Sequence, residues 1–405
     1  LAVLESVDAG KTITDCLHEV GTEAPAFFRW YAELADKTFG KIAPTADDAL
    51  ALIVKEPAGV AGAILPWNMN AGSVLMGWFL MAVWKIAPAL ASGCSIVVKP
   101  AEQTPLSTLK LGELAIEAGI PSGVLNIIPG LGETAGQAIG LHNDVDTVSF
   151  TGSTEVGRLF MRYSGDSNLK SVGLEMGGKS PFIVLDDAVI SDDLIEHAAM
   201  AAFWNGGQNC SANMRQIIAA PLVDEFLDKM LKRVDTFKLG DPLDPDTTIG
   251  SMITAEHKDR VMGYIASGKT EGANLVVGGD VDGPGHFVAP TVFDGVTNDM
   301  TIAKDEIFGP VLGVMAVKSA EDALEIATDT DYGLHATVFT RDIDRAISMA
   351  RKLPCGTVSV NGFSEGDIKT PFGGYKQSGS LARDNGTEAL EQYLQTKTIW
   401  IATQS

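Results

Sequence analysis

The sequence predicts an α/β protein built on parallel sheets, with helices wound over both faces. From Gly59 onward, short apolar runs of strand length alternate with helix-length amphipathic stretches. Runs such as Ile96-Val97-Val98 have no polar alternation, so they are expected to be buried on both faces. Strands that alternate with helices in this way belong to a parallel sheet covered on each side.

Residues 1–37 read as helices. Leu4, Val7 and Lys11 sit at helical spacing, and Ala24 to Lys37 is amphipathic with no breaker after Pro25. Ile42 to Glu56 changes character: Ala49–Val54 is a short apolar run bounded by Pro44 and Pro57, as in an extended arm. Expected strands follow at Ala61–Leu65, Ile96–Val98, Val124–Ile128 and Thr147–Phe150, with helices at Leu106–Ala118, Glu133–Gly140 and Val156–Tyr163. After Gly178 the alternation resumes. Strands are expected at Pro181–Leu185, Gln216–Ala220, Val311–Val317, Thr337–Phe339 and Thr357–Val360, and helices at Leu194–Asn205, Phe226–Val234 and Glu321–Thr328. Two α/β units therefore join near residues 174–178.

Composition narrows the function. With 30 Lys+Arg against 52 Asp+Glu, the net charge of −22 repels nucleic acid and anionic membrane surfaces. Pro57 to Trp84 lacks charge outright, but its prolines, asparagines and glycines leave only Val74–Trp84 as a clean apolar run. That is about half of a membrane span. Cys16, Cys94, Cys210 and Cys355 are too few and scattered for a disulfide framework or zinc cluster, and six histidines form no HExxH pair, so no metal is expected. A reducing cytoplasm fits this cysteine usage. The chain opens at Leu1 with no basic segment ahead of an apolar one, so no secretory signal is read there.

Several segments bear on chemistry. Gly173 to Ser180 matches the phosphate-loop pattern GxxxxGK[ST], but the apolar run Pro181–Leu185 that follows reads as a strand, where that loop needs a helix. Cys210 lies in the Gly-rich turn Gly206-Gly207-Gln208-Asn209-Cys210-Ser211, which suits an activated nucleophile; a buried structural thiol is the other reading. Glu175, between Leu174 and Met176 and beside Gly177-Gly178, has the apolar surroundings that raise a carboxyl pKa toward a general base, with a helix cap or surface charge as the alternative. Pro66-Trp67-Asn68 and Lys99-Pro100-Ala101-Glu102 each end a strand, where α/β sheets bind ligands. The Asn68 amide can donate to an oxyanion, and Lys99 with Glu102 can bracket a ribose while the carboxylate repels a 2′-phosphate. Phe150-Thr151-Gly152-Ser153-Thr154-Glu155-Val156-Gly157 is a strand, glycine turn and helix start able to receive a pyrophosphate, and Gly130-Leu131-Gly132 opens a similar turn.

PWN, KPAE, FTGSTEVG, LEMGGKSP, GQNCSA, DEIFGPV and PFGGYKQSG occur in one order along the chain. Together they resemble the NAD(P)-dependent aldehyde dehydrogenase superfamily over essentially the whole length. His142-Asn143-Asp144, Gly165-Asp166-Ser167-Asn168 and the ending Lys397-Thr398-Ile399-Trp400-Ile401 are similar to the bacterial gamma-glutamyl-gamma-aminobutyraldehyde dehydrogenases. The resemblance implies an aldehyde-dehydrogenase-like fold: residues 1–38 and 58–177 as NAD-binding domain, 178–375 as catalytic domain, and 39–57 with 376–405 as a β oligomerisation arm of a homodimer or homotetramer. Members begin several dozen residues earlier, so an N-terminal part of the cofactor domain is expected to be absent or to lie outside this chain. Met69–Gly77 reads as an insertion.

The resemblance also implies roles. Cys210 would be the nucleophile that forms a thiohemiacetal and then a thioester. Asn68 and the Cys210 amide would stabilise the oxyanion, and Glu175 would activate the hydrolytic water. Lys99, Ala101 and Glu102 would hold the adenosine ribose, and Gly132, Gly152, Ser153 and Gly157 the pyrophosphate. Trp67, Glu306 and Phe308 would border the nicotinamide half, with NAD preferred over NADP because of Glu102. Trp84 and Phe363 would line the aldehyde tunnel. Glu365 and Asp367 beside it would favour an aldehyde with a distal ammonium group, or else be solvated loop charges. Two other functions stay open: a CoA-acylating semialdehyde dehydrogenase, which needs no deacylating base, and a catalytically silent member kept for binding or structure.

Overall fold

A computed structural model of the chain describes residues 1–67, 78–281 and 283–403. Asn68 and Met69–Gly77 lie outside the described residues. Among those described, the expected alternation folds into two large sheets. The first has five strands in the order Leu125–Ile127, Ser95–Lys99, Val60–Ile64, Thr147–Thr151 and Ser171–Glu175, every pair parallel. Register places Ile64 beside Lys99 and Thr151 beside Glu175. The C-terminal ends of these strands therefore share one edge.

The second sheet has seven strands, ordered Asn274–Asp280, Val288–Asp294, Val311–Val317, Arg215–Ala219, Pro181–Val184, His335–Phe339 and Thr357–Val360. Its five inner strands are largely buried on both faces, whereas the edge strands Asn274–Asp280 and Thr357–Val360 are partly exposed. Ile183, Ile217 and Val338 pack into one core cluster, and their neighbours Phe182, Ile218 and Phe339 pack into another across the sheet. Truncating any of these large side chains to Ala should cost about 2–5 kcal/mol. The segments at 39–57 and 376–405 meet in a small antiparallel sheet: Leu394–Ala402 pairs with Ala49–Pro57, and Lys41–Ala43 with its other edge.

Several elements differ from the sequence reading. The first helix, Ala2–Ala9, buries Glu5, Ser6 and Ala9 and turns Leu4 and Val7 outward, the reverse of the expected face. It ends at Gly10, with φ 71°, so Lys11 lies beyond it. The buried Lys11 pairs with Glu19 and lies 4.6 Å from the Trp204 ring centroid. Polar partners, not apolar spacing, set that face.

The helices Ala255–Thr270 and Ile343–Lys352 and the strands Asn274–Asp280, Val288–Asp294 and Ser171–Glu175 were not anticipated. Ala255–Thr270 buries only Val261, Ile265 and Gly268, too thin a stripe for a periodicity signal. Asn274–Asp280 is an antiparallel edge strand whose register shifts between Leu275 and Val277 and again between Val277 and Gly279, and Pro290 lies in the facing strand at the second shift. The phosphate-loop match begins inside the strand Ser171–Glu175 and runs to the start of the strand Pro181–Val184, with no helix after it to receive a phosphate.

Candidate active site

Between the C-terminal edge of the five-stranded sheet and the segment Ile253–Arg260 lies a cleft of about 570 Å³. Lys99, Ala101, Glu102 and Gly132 line one end. Lys99 Nζ donates to Glu102 Oε2 at 2.9 Å and to the Pro100 carbonyl at 2.9 Å, which fixes the carboxylate at the end of its strand. Partial burial is the largest single influence and raises the Glu102 pKa, but the hydrogen bond from Lys99, the residue's own backbone amide and the Lys99 charge together outweigh it, leaving the group below the usual carboxylate range.

Gly152 and Ser153 line the next stretch. Ser153 caps the helix Thr154–Gly165, its hydroxyl accepting from the Val156 amide at 3.3 Å. This leaves a bare glycine turn facing the cleft at the positive end of a helix. Gly157 does not line the cleft. A Cβ there would lie 2.3 Å from the Met176 sulfur, so its glycine serves close packing of helix on strand.

Trp67, Phe308 and Glu306 also line the cleft. Sequence reasoning missed their neighbour His257, with Thr254 and Arg260, because it missed the helix that carries them. Thr254 caps that helix by accepting from the His257 amide at 3.1 Å, a three-residue spacing that was available as a signal. The His257 and Phe308 ring centroids lie 5.0 and 5.4 Å from that of Trp67. Phe308 adopts φ 60°, and its carbonyl lies 2.7 Å from His257 Nε2. Accepting from an Nε2–H there holds Phe308 in a conformation that side chains rarely adopt. Glu306 accepts from the Gly178 amide at 3.0 Å. Burial pushes its pKa up to about 7, against the pull of Gly178, Lys179 and Arg260.

Cys210 reaches the same cleft. After the helix Asp192–Phe203, Asn205 and Gly206 take φ of 52° and 64°, which breaks the helix and swings the following loop toward the sheet. A Cβ on Gly178 would lie 2.5 Å from the Cys210 carbonyl, so that glycine admits the loop. Burial raises the thiol pKa well above its ordinary value, and Glu365, Glu306 and Glu175 raise it further. Cys16 and Cys94 are also buried, but in packed surroundings away from the cleft.

Glu175 ends its strand and is 5% exposed with neither carboxylate oxygen in a well-formed hydrogen bond. Burial raises its pKa well above the carboxylate range and Asp384 adds to this, while Lys85, Arg383 and the nearby Gly374 amide oppose. Glu365 is equally buried, its pKa raised by desolvation against a pull from Asn209. Asp367 is not beside it: it is exposed, 3.9 Å from Lys369. Trp84 is 1% exposed and packs between Phe27 and Phe372, and Phe363 lies edge-on to His335; neither lines the cleft. Among the described residues no cluster of His, Cys, Asp and Glu suits a metal ion, and no helix is long and apolar enough to cross a membrane.

A cleft lined by a fixed carboxylate, a glycine turn at a helix N-terminus and a buried thiol suits a dinucleotide bound beside a nucleophile. The aldehyde dehydrogenase family profile matches residues 1–399. An aminoacetaldehyde dehydrogenase of Pseudomonas aeruginosa is 45% identical over 401 residues, covering 99% of this chain and 79% of its own length. The NADP/NAD-dependent aldehyde dehydrogenase PuuC of Escherichia coli is 44% identical over 405 residues, covering 100% of this chain and 80% of its own. The crystal structure of a gamma-glutamyl-gamma-aminobutyraldehyde dehydrogenase from Burkholderia cenocepacia superposes with a TM-score of 0.94 at 43% identity, over 100% of this chain and 80% of that one. With motif order, cleft and fold in agreement, the chain belongs to the aldehyde dehydrogenase family.

Proposed function

We propose that this NAD(P)-dependent aldehyde dehydrogenase works through Cys210 and Glu175, prefers NAD, and acts best on aldehydes that carry a distal ammonium group. The carrying observation is a buried thiol in the cleft that feels the charge of Glu175, a buried carboxyl outside the cleft lining that lacks a well-formed hydrogen bond. The Cys210 sulfur adds to the aldehyde carbon, and the thiol proton leaves to a neighbouring carboxylate or water. Asn68 and the Cys210 amide are the proposed donors to the resulting oxyanion. The bound dinucleotide supplies a hydride acceptor. Water then attacks the Cys210 thioester, Glu175 takes its proton, and the C–S bond breaks to release the acid.

The cleft suits the dinucleotide in this order: Lys99, Ala101 and Glu102 at the adenosine ribose, Gly132, Gly152 and Ser153 at the pyrophosphate, and Trp67, Glu306 and Phe308 at the nicotinamide end. Glu102, held by Lys99, supports NAD over NADP. The substrate reading is supported by Glu365, an acid buried near Cys210, and by the name of the Pseudomonas relative. Residues 1–38 with 58–177 are proposed as the NAD-binding domain and 178–375 as the catalytic domain. The antiparallel arm, with Trp400 65% exposed, is proposed to join subunits of a homodimer or homotetramer. Four free cysteines are consistent with the cytoplasm. An NAD-reduction assay over an aldehyde panel, with and without CoA, tests the whole reading; turnover that requires CoA would replace it with acyl transfer.

A further inference from the structure

The loop that carries Cys210 and the loop that carries Glu365 are tied together by one buried side-chain pair. Asn213 and His335 are 0% and 1% exposed. The Asn213 side-chain amide donates to the Ser211 carbonyl at 2.8 Å, and its Nδ2 lies 3.1 Å from His335 Nδ1. Its carbonyl oxygen accepts from the Thr337 hydroxyl at 2.6 Å, which fixes which way the amide faces. Both Asn213 amide hydrogens thus point at acceptors, so His335 Nδ1 must be unprotonated and Nε2 must carry the hydrogen. That Nε2 lies 3.0 Å from the Ser364 carbonyl, to which it donates.

The chain of bonds therefore runs from Ser211, next to Cys210, to Ser364, next to Glu365. His335 sits on a central strand between Pro181–Val184 and Thr357–Val360, so the link is anchored in the rigid sheet. Phe363 closes it from one side, its ring centroid 5.3 Å from that of His335. The two ends differ in redundancy. Asn213 keeps other bonds, through its own amide to the Ala201 carbonyl and from Thr337. On the Ser364 side, the Ser359 hydroxyl, on the adjoining strand, also donates to that carbonyl and lies 3.2 Å from His335 Nε2.

We propose that Asn213 and His335 form a positioning pair that sets the Ser364–Glu365 backbone against the Cys210 loop, and so fixes the aldehyde end of the site. The inference rests on Cys210 as the nucleophile. Loss of the Asn213–His335 pair loosens where the aldehyde sits without removing a group that touches the reacting atoms, so KM for the aldehyde moves more than kcat.

Three variants test it in steady-state assays with the cofactor saturating. His335→Phe fills the space but makes neither bond. It should raise the aldehyde KM about tenfold, leaving kcat and the KM for NAD within about twofold. His335→Gln can accept from Asn213 and donate to Ser364, and should restore most of the lost affinity. The triple variant Asn213→Ala/His335→Ala/Thr337→Val removes the Thr337 hydroxyl along with both members, so no buried donor is left facing a missing acceptor. It should fold where His335→Phe fails to, with the same raised aldehyde KM. Equal KM values in the Phe and Gln variants, or a lowered Tm with unchanged aldehyde KM, would overturn the pair's positioning role. Turnover in Cys210→Ala would instead overturn the nucleophile on which it rests.

Discussion

Lys85 Nζ lies 2.9 Å from Asp384 Oδ2 in a buried ion pair behind Glu175, and a second donor bond runs from Lys85 to the Ser149 hydroxyl at 3.0 Å. The two charges act on Glu175 in opposite senses, Asp384 raising its pKa and Lys85 lowering it. Asp384→Asn keeps an acceptor for Lys85 but removes the negative charge. The Glu175 pKa should then fall. A general base works deprotonated, and its activity is lost as pH drops through its pKa, so the acid limb of kcat should move to lower pH. The variant should also lose stability, by up to about 3–5 kcal/mol, because Lys85 stays buried without a counter-charge. An acid limb that stays in place would mean Asp384 does not act on Glu175.

Cys210→Ala should abolish aldehyde oxidation, while Ala at Cys16, Cys94 or Cys355 should leave it intact. The Cys210 thiol is raised by burial and by three neighbouring carboxyl groups, so its alkylation by iodoacetamide in the free enzyme should climb steadily toward alkaline pH. A plateau near neutrality would show that a base already deprotonates it.

Where each functional side chain could be read from the sequence depended on whether local or tertiary factors place it. Lys99 and Glu102 were legible because a strand ends there and the pair is local in sequence. Cys210 was legible as a thiol in a Gly-rich turn, although the left-handed Asn205 that aims it is not. His257 was not legible, since its place beside Trp67 depends on packing between segments 190 residues apart. Glu365 and Asp367 looked alike in sequence, two acids in one loop. Burial near Cys210 for one and contact with Lys369 for the other were decided by how the loop folds back. The first helix shows the same limit: its buried face carries Glu5 and Ser6, whose hydroxyl donates to the Lys11 carbonyl, and no apolar periodicity encodes that.

Glu175→Gln should release one burst of NADH and then stall, because the thioester forms but its water is not activated. Rapid-mixing measurement of burst amplitude against steady-state rate checks this. A burst that falls in proportion with the steady state would assign Glu175 to acylation or to structure.

Glu102 should enforce NAD. A fixed carboxylate facing a 2′-phosphate costs on the order of one to a few kcal/mol, so kcat/KM for NADP should be at least about tenfold lower. Glu102→Gln should narrow that gap. The PuuC relative is named for both cofactors, so the ratio of the two kcat/KM values is the quantity to measure. Equal values in the unaltered enzyme would show that Glu102 does not meet the ribose.

The substrate prediction now rests on Glu365 alone. Its carboxyl is buried near Cys210, with neither oxygen in a well-formed hydrogen bond and only Asn209 opposing its raised pKa. Burial therefore favours the neutral acid while the site is empty. An incoming ammonium group reverses that preference, since an opposite charge at close range favours the ionised form, and the charge pair forms where water is scarce. An aminoaldehyde should thus have a higher kcat/KM than a neutral aldehyde of matched length. Glu365→Gln should remove the advantage, whereas Asp367→Asn should leave it, because that carboxylate is solvated and already beside Lys369. Added salt should trim the advantage only modestly, since screening acts on the approach through solvent more than on a buried pair. An advantage that survives Glu365→Gln but disappears with Asp367→Asn would move recognition to the loop surface. No advantage in the unaltered enzyme would leave a general aldehyde dehydrogenase.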